Sequence, residues 1–358
     1  MCNQQKNTRN YGIDLLRIVS MLMVVGLHIL GQGRVISNLD ILSLKYEVAW
    51  LFETAAYCAV NCFALVSGYV GINAKYKYTN IVVLWIQTVF YTVVITSIMC
   101  LLNTEVSYNI ELCKNMFFPV ITQQYWYFTA YFVLFFAMPI YNSAIDSLGQ
   151  KQMRRILVTG IILFSIIPTI TERELFELND GSSFLWISFL YLIGGYIRKY
   201  NIADKMKGKS WIVIYLICVL ISWGERHFYE LFYFNQTGEK ITRLFFIRYI
   251  SPTILVAAIC LICFFSKIRI KERMKKVISA MSTSAFSVYL IHTHPLIFEL
   301  LGGKFRWIAK LPLFHMIIAI LGMALGIFGI CISIDIIRNY IFQKLHVKES
   351  ILRIEDKL

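Results

Sequence analysis

The feature that most constrains this chain is a succession of apolar stretches, each near twenty residues long, separated by short polar loops. A bilayer core about 30 Å thick takes about 20 apolar residues in helical form to cross. In lipid only helices and closed barrels satisfy their own backbone. The spans fall near 12–30, 48–71, 80–102, 120–141, 155–170, 183–197, 210–224, 245–266, 277–300 and 312–341. The fifth to seventh are short, and the tenth is long enough to tilt or to run on past the membrane. The expected fold is an all-α integral membrane protein, a bundle of about ten transmembrane helices over 1–341 with a short cytoplasmic tail at 342–358. Composition agrees: 58% of residues are hydrophobic, only 16% are charged, and mean hydropathy is +0.63. A soluble surface of this size takes roughly a quarter of the residues charged, so the outer surface is expected to face lipid.

Alternation of charge orients the bundle. Lys and Arg number 22 on the side holding Lys6, Arg9, Lys75, Lys77 and the runs at 198–209 and 267–276, against 10 on the other. Basic loops stay cytoplasmic, which places both termini there. The net charge of +14 does not indicate nucleic acid, because the basic residues are scattered over short loops. Nor does the first span read as a cleavable signal, since it carries Asp14 and Arg17 and no small-residue cleavage site follows. Cys260 and Cys263 have metal-ligand spacing but no second pair, so they read as packing residues and no metal site is expected.

Ionisable groups inside a span are costly unless paired or hydrated, so each is a functional candidate. Arg17 and His28 are eleven residues apart on the first helix, which puts them on one face about 16 Å apart along the axis. Asp14, one turn from Arg17, is placed to pair with it. The plainer reading of Arg17 is snorkelling to headgroups, and that of His28 an interfacial histidine. Depth along alternating spans sets His28, Glu53, His292, Trp126 and Tyr127 in one outer layer, and Arg17, Ser67, Tyr69, Lys75 and Lys77 near the inner leaflet. Two polar stations are thus expected, joined along the first helix. Among the other groups, Glu299 and Asp335 read as loop or interface residues, and Asn61 as an interhelical hydrogen-bonding group. His294, before Pro295, reads either as a cavity-lining residue at a helix break or as an outer-interface residue. Tyr125, Trp126 and Tyr127 read first as an interfacial belt and alternatively as a platform for a sugar. The run Lys267 to Lys276 reads as a positive-inside anchor meeting anionic lipid rather than as a cofactor site.

Four blocks together resemble the membrane acyltransferase-3 family. They are Asp14-Leu-Leu-Arg17 with His28, Ser67-Gly68-Tyr69, Trp126-Tyr127-Phe128 running to Pro139, and Tyr289-Leu-Ile-His292. They occur in the family's order over nearly the whole chain. The resemblance implies acyl transfer, usually of acetyl, from a cytoplasmic acyl-CoA co-substrate to a hydroxyl of a cell-envelope or exported carbohydrate. It makes Arg17 and His28 the essential residues. It also implies a bacterial cytoplasmic membrane location, with a glycan or lipid-linked sugar as acceptor and glycan-biosynthesis enzymes as partners. One departure is plain: where many members carry two arginines at the start of the third span, this chain has Lys75 and Lys77, which meet phosphate as point charges without a bidentate fork. Within this family likeness the expected roles are as follows. Arg17, Ser67, Tyr69, Lys75 and Lys77 hold the donor, His28 is general base or transient acyl carrier, Glu53 orients it, and Trp126, Tyr127 and His292 meet the acceptor. Transport or flipping of a lipid-linked sugar fits ten helices with internal polar groups as well. So does a membrane anchor or sensor domain serving a separate enzyme.

Overall fold

The computed structural model of the protein describes residues 9–72, 74–102 and 108–357, and the regular elements among them are helices. Lys6, counted above among the basic residues, lies outside them. In chain order the helices are α1 (Tyr11–Leu30), α2 (Leu44–Ala56), α3 (Ala59–Gly71), α4 (Tyr78–Leu102), α5 (Ile110–Phe117), α6 (Trp126–Ser147), α7 (Gln150–Ile161) and α8 (Ile167–Thr171). They continue with α9 (Phe184–Lys199), α10 (Gly208–Thr237), α11 (Pro252–Ser266), α12 (Glu272–His292), α13 (Pro295–Leu301), α14 (Leu313–Lys344) and α15 (Val347–Glu355). A π-helical turn at Ile162–Ile166 joins α7 to α8.

Each expected span falls on a helix, but not all are equal. Among the described residues seven stretches are long and apolar enough to cross a membrane: α1, α2 with α3, α4, α6, α7 with α8, α10 and α14. The other three differ for physical reasons. The 15 residues of α11 and 16 of α9 make only about 22–24 Å at 1.5 Å per residue. The first turns of α12 carry Glu272, Arg273, Lys275 and Lys276. The chain is a multi-pass helical membrane protein.

The first helix is the axis of the bundle. It starts where the Asn10 side chain accepts the backbone N–H groups of Gly12 (3.0 Å) and Ile13 (3.3 Å), an N-cap that satisfies two orphan donors. It packs against α2, α3, α11, α12 and α14, and 61% of its apolar window is buried, against 22% for α14. α14 instead turns Ile318, Leu325, Ile330 and Ile337 outward, as a lipid-facing helix does. Polar groups on α1 therefore face protein or an internal cavity.

α3 and α9 approach each other closely. A Cβ on Gly68 would overlap the backbone carbonyl of Tyr191, and one on Gly194 would overlap that of Leu65. Reciprocal small residues let two backbones approach in this way, so Gly68 of the Ser67-Gly68-Tyr69 segment acts in packing. Asn61 bridges helices as expected: Trp186 Nε1 donates to its Oδ1 (3.0 Å) and its Nδ2 donates to the Tyr249 carbonyl (2.7 Å).

Several boundaries move because charges find partners. α10 runs on to Thr237, well past the expected span end at residue 224, and Arg226, which that boundary leaves in a loop, is fully buried within the helix. Its guanidinium pairs with Glu47 of α2 (2.5 Å) and with Glu230 one turn on. Hydropathy falls there, but the guanidinium meets its carboxylate partners inside the bundle. Asp335, expected at a loop or interface, is likewise fully buried. It pairs with Arg338 (2.5 Å) and accepts from Tyr91 Oη (2.8 Å) and Ser287 Oγ (2.5 Å). α12 stops at His292 and α13 restarts at Pro295, the break a proline imposes on the residues before it. His294 in that break is buried toward Thr96 of α4 (3.3 Å). Glu299 is exposed.

The last helix, α15, folds back on α4. The Glu355 carboxylate accepts the backbone N–H groups of Tyr78 (2.8 Å) and Thr79 (3.1 Å), and also the Thr79 hydroxyl, at the first turn of α4. A carboxylate is favoured there because the orphan N–H groups and the helix dipole both attract an anion.

Candidate active site

A cavity of about 700 Å³ runs alongside α1, with Arg17 at the N-terminal end of the helix and His28 at its C-terminal end among the lining residues. Met21, Val24 and Leu27 line the stretch between them, so the α1 face read from the eleven-residue spacing is a cavity wall. Arg17 and Ser67 of the inner station and His28, Glu53, Trp126 and Tyr127 of the outer one thus line one space.

At the first end, Arg17 Nη1 donates to Asp14 (2.9 Å), which also accepts from Arg9 Nε (2.6 Å) and Ser282 Oγ (3.2 Å). Asp14 is buried, and the two guanidinium groups supply the charge compensation a buried carboxylate needs. Ser67 lines the same cavity, its hydroxyl donating back to the Phe63 carbonyl at 2.9 Å.

At the other end, His28 Nδ1 lies 3.0 Å from His292 Nε2, and His292 Nδ1 lies 2.5 Å from the Val288 carbonyl. A carbonyl only accepts, so His292 carries its proton on Nδ1 and presents a lone pair at Nε2. His28 must then donate from Nδ1, which leaves its own Nε2 as a lone pair, without a protein partner among the described residues. Phe298 packs on the His28 ring in a T-shaped contact, with centroids 5.0 Å apart. The tautomer of His28 is thus set by a residue 264 positions away.

This changes two expectations. The partner of His28 is His292; among the described residues no hydrogen bond joins His28 to Glu53. Glu53 does line the cavity, and its buried Oε2 has no protein partner. His292 sits behind His28 and does not itself line the cavity. Trp126 and Tyr127 do line it, Trp126 stacking on Tyr249 with centroids 6.3 Å apart at 26°. Tyr57, at the turn between α2 and α3, closes on Tyr249 at 5.0 Å. Nothing in the local sequence of Tyr57 and Tyr249 separates them from the other tyrosines near span ends.

The remaining donor candidates lie elsewhere. Tyr69 turns away from the cavity into a second, polar pocket, where its hydroxyl accepts from Arg198 Nη1 at 3.1 Å. Lys75 and Lys77 are exposed and line neither space. The turn of α4 beside them, otherwise an anion site, holds Glu355.

A helical membrane bundle with an internal cavity, basic at one end and ending on an unprotonated imidazole nitrogen at the other, defines a membrane protein equipped for base or nucleophilic chemistry. The family model described as an acyltransferase domain, that of acyltransferase-3, matches residues 10–338, and the chain belongs to that family. No curated protein and no solved structure matches it.

Proposed function

We propose that this membrane acyltransferase takes an acyl group, acetyl by preference, from cytoplasmic acyl-CoA and places it on a hydroxyl of a cell-envelope or exported carbohydrate. The observation that carries the reading is the bare Nε2 of His28 at the end of a cavity that begins at Arg17. The donor enters at the Arg17 end, where a cation favours phosphate in a low-dielectric mouth. Its thin pantetheine arm follows the apolar wall of Met21, Val24 and Leu27 toward His28.

There His28 Nε2 removes the proton of the acceptor hydroxyl as its oxygen attacks the thioester carbonyl. The C–O bond forms, the C–S bond breaks, and the imidazolium returns the proton to the leaving thiolate, giving an ester and free CoA. His292 is a positioning residue: its Nε2 accepts from His28 Nδ1 throughout and stabilises the imidazolium, as the buried carboxylate does in a hydrolase triad. Glu53, unpartnered and facing the cavity, meets a second hydroxyl of the sugar, and Trp126 with Tyr249 supplies an aromatic platform for the ring.

Both termini lie in the cytoplasm of a bacterial cell in this reading, with α9, α11 and α12 completing ten crossings and α15 forming the cytoplasmic tail. The excess of basic loops on that side supports it. The test is release of free CoA from acetyl-CoA by purified protein with a glycan acceptor, wild type against His28→Ala. Turnover that collapses in the variant supports the reading. Equal turnover by both overturns the histidine mechanism. Sugar flux in vesicles without CoA release moves the assignment to a transporter.

A further inference from the structure

The second pocket, about 750 Å³, opens on the side of α1 that carries its N-terminus. Its walls come from the segment before α1, the C-terminal turn of α9, and the link between α11 and α12. Five cations line it, Arg9, Arg198, Lys267, Arg269 and Lys275, with two carboxylates, Asp204 and Glu272. The pairing inside the pocket decides what is left over. Lys267 pairs with Asp204 (3.1 Å) and donates to the carbonyls of Ala203 and Met206. Lys275 pairs with Glu272. Arg9 pairs with Asp14 (2.6 Å). Arg198 donates to the Tyr69 hydroxyl and lies over that ring at 5.1 Å, and neither it nor Arg269 has a carboxylate partner among the described residues. Two guanidinium forks, Arg198 and Arg269, therefore have no carboxylate of their own in the pocket, and Arg9 shares its one with Arg17.

Asp14 ties this pocket to the acyl cavity. It holds Arg9, which lines the pocket, and Arg17, which lines the cavity, on one buried carboxylate. Ser67 and Tyr69, two residues apart on α3, also face the cavity and the pocket respectively. The pocket thus adjoins the Arg17 end of the cavity, on the face where α12 begins.

We propose that this pocket is the binding site for the phosphates of the donor's nucleotide, with Arg198 and Arg269 as its anionic contacts in place of Lys75 and Lys77. The shared chemistry is a phosphate dianion held by paired guanidinium forks, which match its oxygens bidentately. Naming the nucleotide as its source rests on the acyl-CoA reading above; an anionic lipid headgroup is the other source of the same group. The arrangement divides the donor in two. Its charged head is held outside the apolar cavity, and only the acyl-bearing arm passes Arg17.

The experiment measures binding of adenosine 3′,5′-bisphosphate to the purified full chain by calorimetry, in nanodiscs of zwitterionic lipid. Arg269 is exposed and free of protein partners among the described residues, so R269Q leaves the fold intact. The loss of its charge-assisted contact is expected to weaken binding about tenfold. R198Q/R269Q weakens it further, R198K/R269K restores part of it, and K75Q/K77Q leaves it within about twofold of wild type. Unchanged binding in R198Q/R269Q, or loss in K75Q/K77Q, overturns the placement, and continued CoA release by the same preparations shows that acyl transfer stands without it. Failure of the nucleotide to bind wild type also overturns the proposal. Selective enrichment of phosphatidylglycerol around wild type but not R198Q/R269Q then assigns the forks to a lipid headgroup. If no preparation releases CoA, the acyltransfer reading fails on its own, while the nucleotide titration still decides the pocket.

Discussion

His292 Nε2 accepts from His28 Nδ1 at 3.0 Å, and the Val288 carbonyl holds the His292 proton on the far nitrogen. Two imidazoles and a carbonyl form a line that ends on one lone pair of a cavity-lining ring. A histidine held in this way is a base with a fixed tautomer, which an imidazole free to rotate at a lipid interface is not.

The first prediction separates the two rings. His28→Ala is expected to lower kcat by about 10²–10⁴-fold, the range of general-base catalysis. His292→Ala lowers kcat with little change in KM for either substrate, because the ring does not line the cavity. His292→Gln, whose carbonyl oxygen can still accept from His28 Nδ1, recovers part of the rate. Steady-state kinetics with both substrates varied checks all three, and a rise in acceptor KM for His292→Ala would show it touching the sugar.

Glu53 is predicted to act on the acceptor alone. Glu53→Gln should raise acceptor KM about 10- to 100-fold and leave donor KM unchanged, as expected for the loss of one charge-assisted hydrogen bond of about 1.5–3 kcal/mol. Trp126→Ala should raise acceptor KM in the same sense. A fall in kcat alone for Glu53→Gln would instead return it to a role beside His28.

Gly68 is predicted to be a packing residue. Gly68→Ala drives a methyl into the Tyr191 carbonyl across the α3–α9 contact, and overpacking of this kind costs about 1–3 kcal/mol. Ser67→Ala, whose hydroxyl bonds only within its own helix, should be near neutral for stability. Thermal unfolding in detergent compares the two.

Arg226 is predicted to be needed for folding on the side of the bundle away from the α1 N-terminus. Arg226→Ala leaves Glu47 and Glu230 buried against each other, and breaking a buried pair costs about 3–5 kcal/mol. Adding Glu230→Gln removes one of the stranded charges and should recover part of the loss, again by thermal unfolding.

The docking of α15 is predicted to depend on pH. The hydrogen bond from Thr79 holds the Glu355 carboxyl below its usual value, with the Tyr78 and Thr79 amides and the charge of Lys77 acting in the same direction. A depressed folded-state value means the contribution is fully present above the ordinary carboxylate range and is lost as pH falls through the lowered one. Glu355→Gln should release the helix at neutral pH as well. Hydrogen exchange of the amides at 347–355 reports both, and continued protection in the variant would show that the apolar face of α15 suffices.

The features legible along the chain were local ones. Apolar stretches near the thickness of a bilayer make helices whatever surrounds them, and the Arg17–His28 spacing sets both residues on one face because helical pitch depends on neighbours along the chain. The Pro295 break followed from the missing N–H, and the four family blocks marked the chemistry. The tertiary structure decided which faces meet. His292 rather than Glu53 stands behind His28, Tyr249 completes the aromatic platform, and Arg198 and Arg269 rather than Lys75 and Lys77 line the pocket beside Asp14. It also took Arg226 out of a loop and into the core, because Glu47 came from another helix to neutralise it. Depth in a bilayer can be counted along a chain, but adjacency between helices is set by packing between residues hundreds of positions apart, on which spacing along the chain is silent.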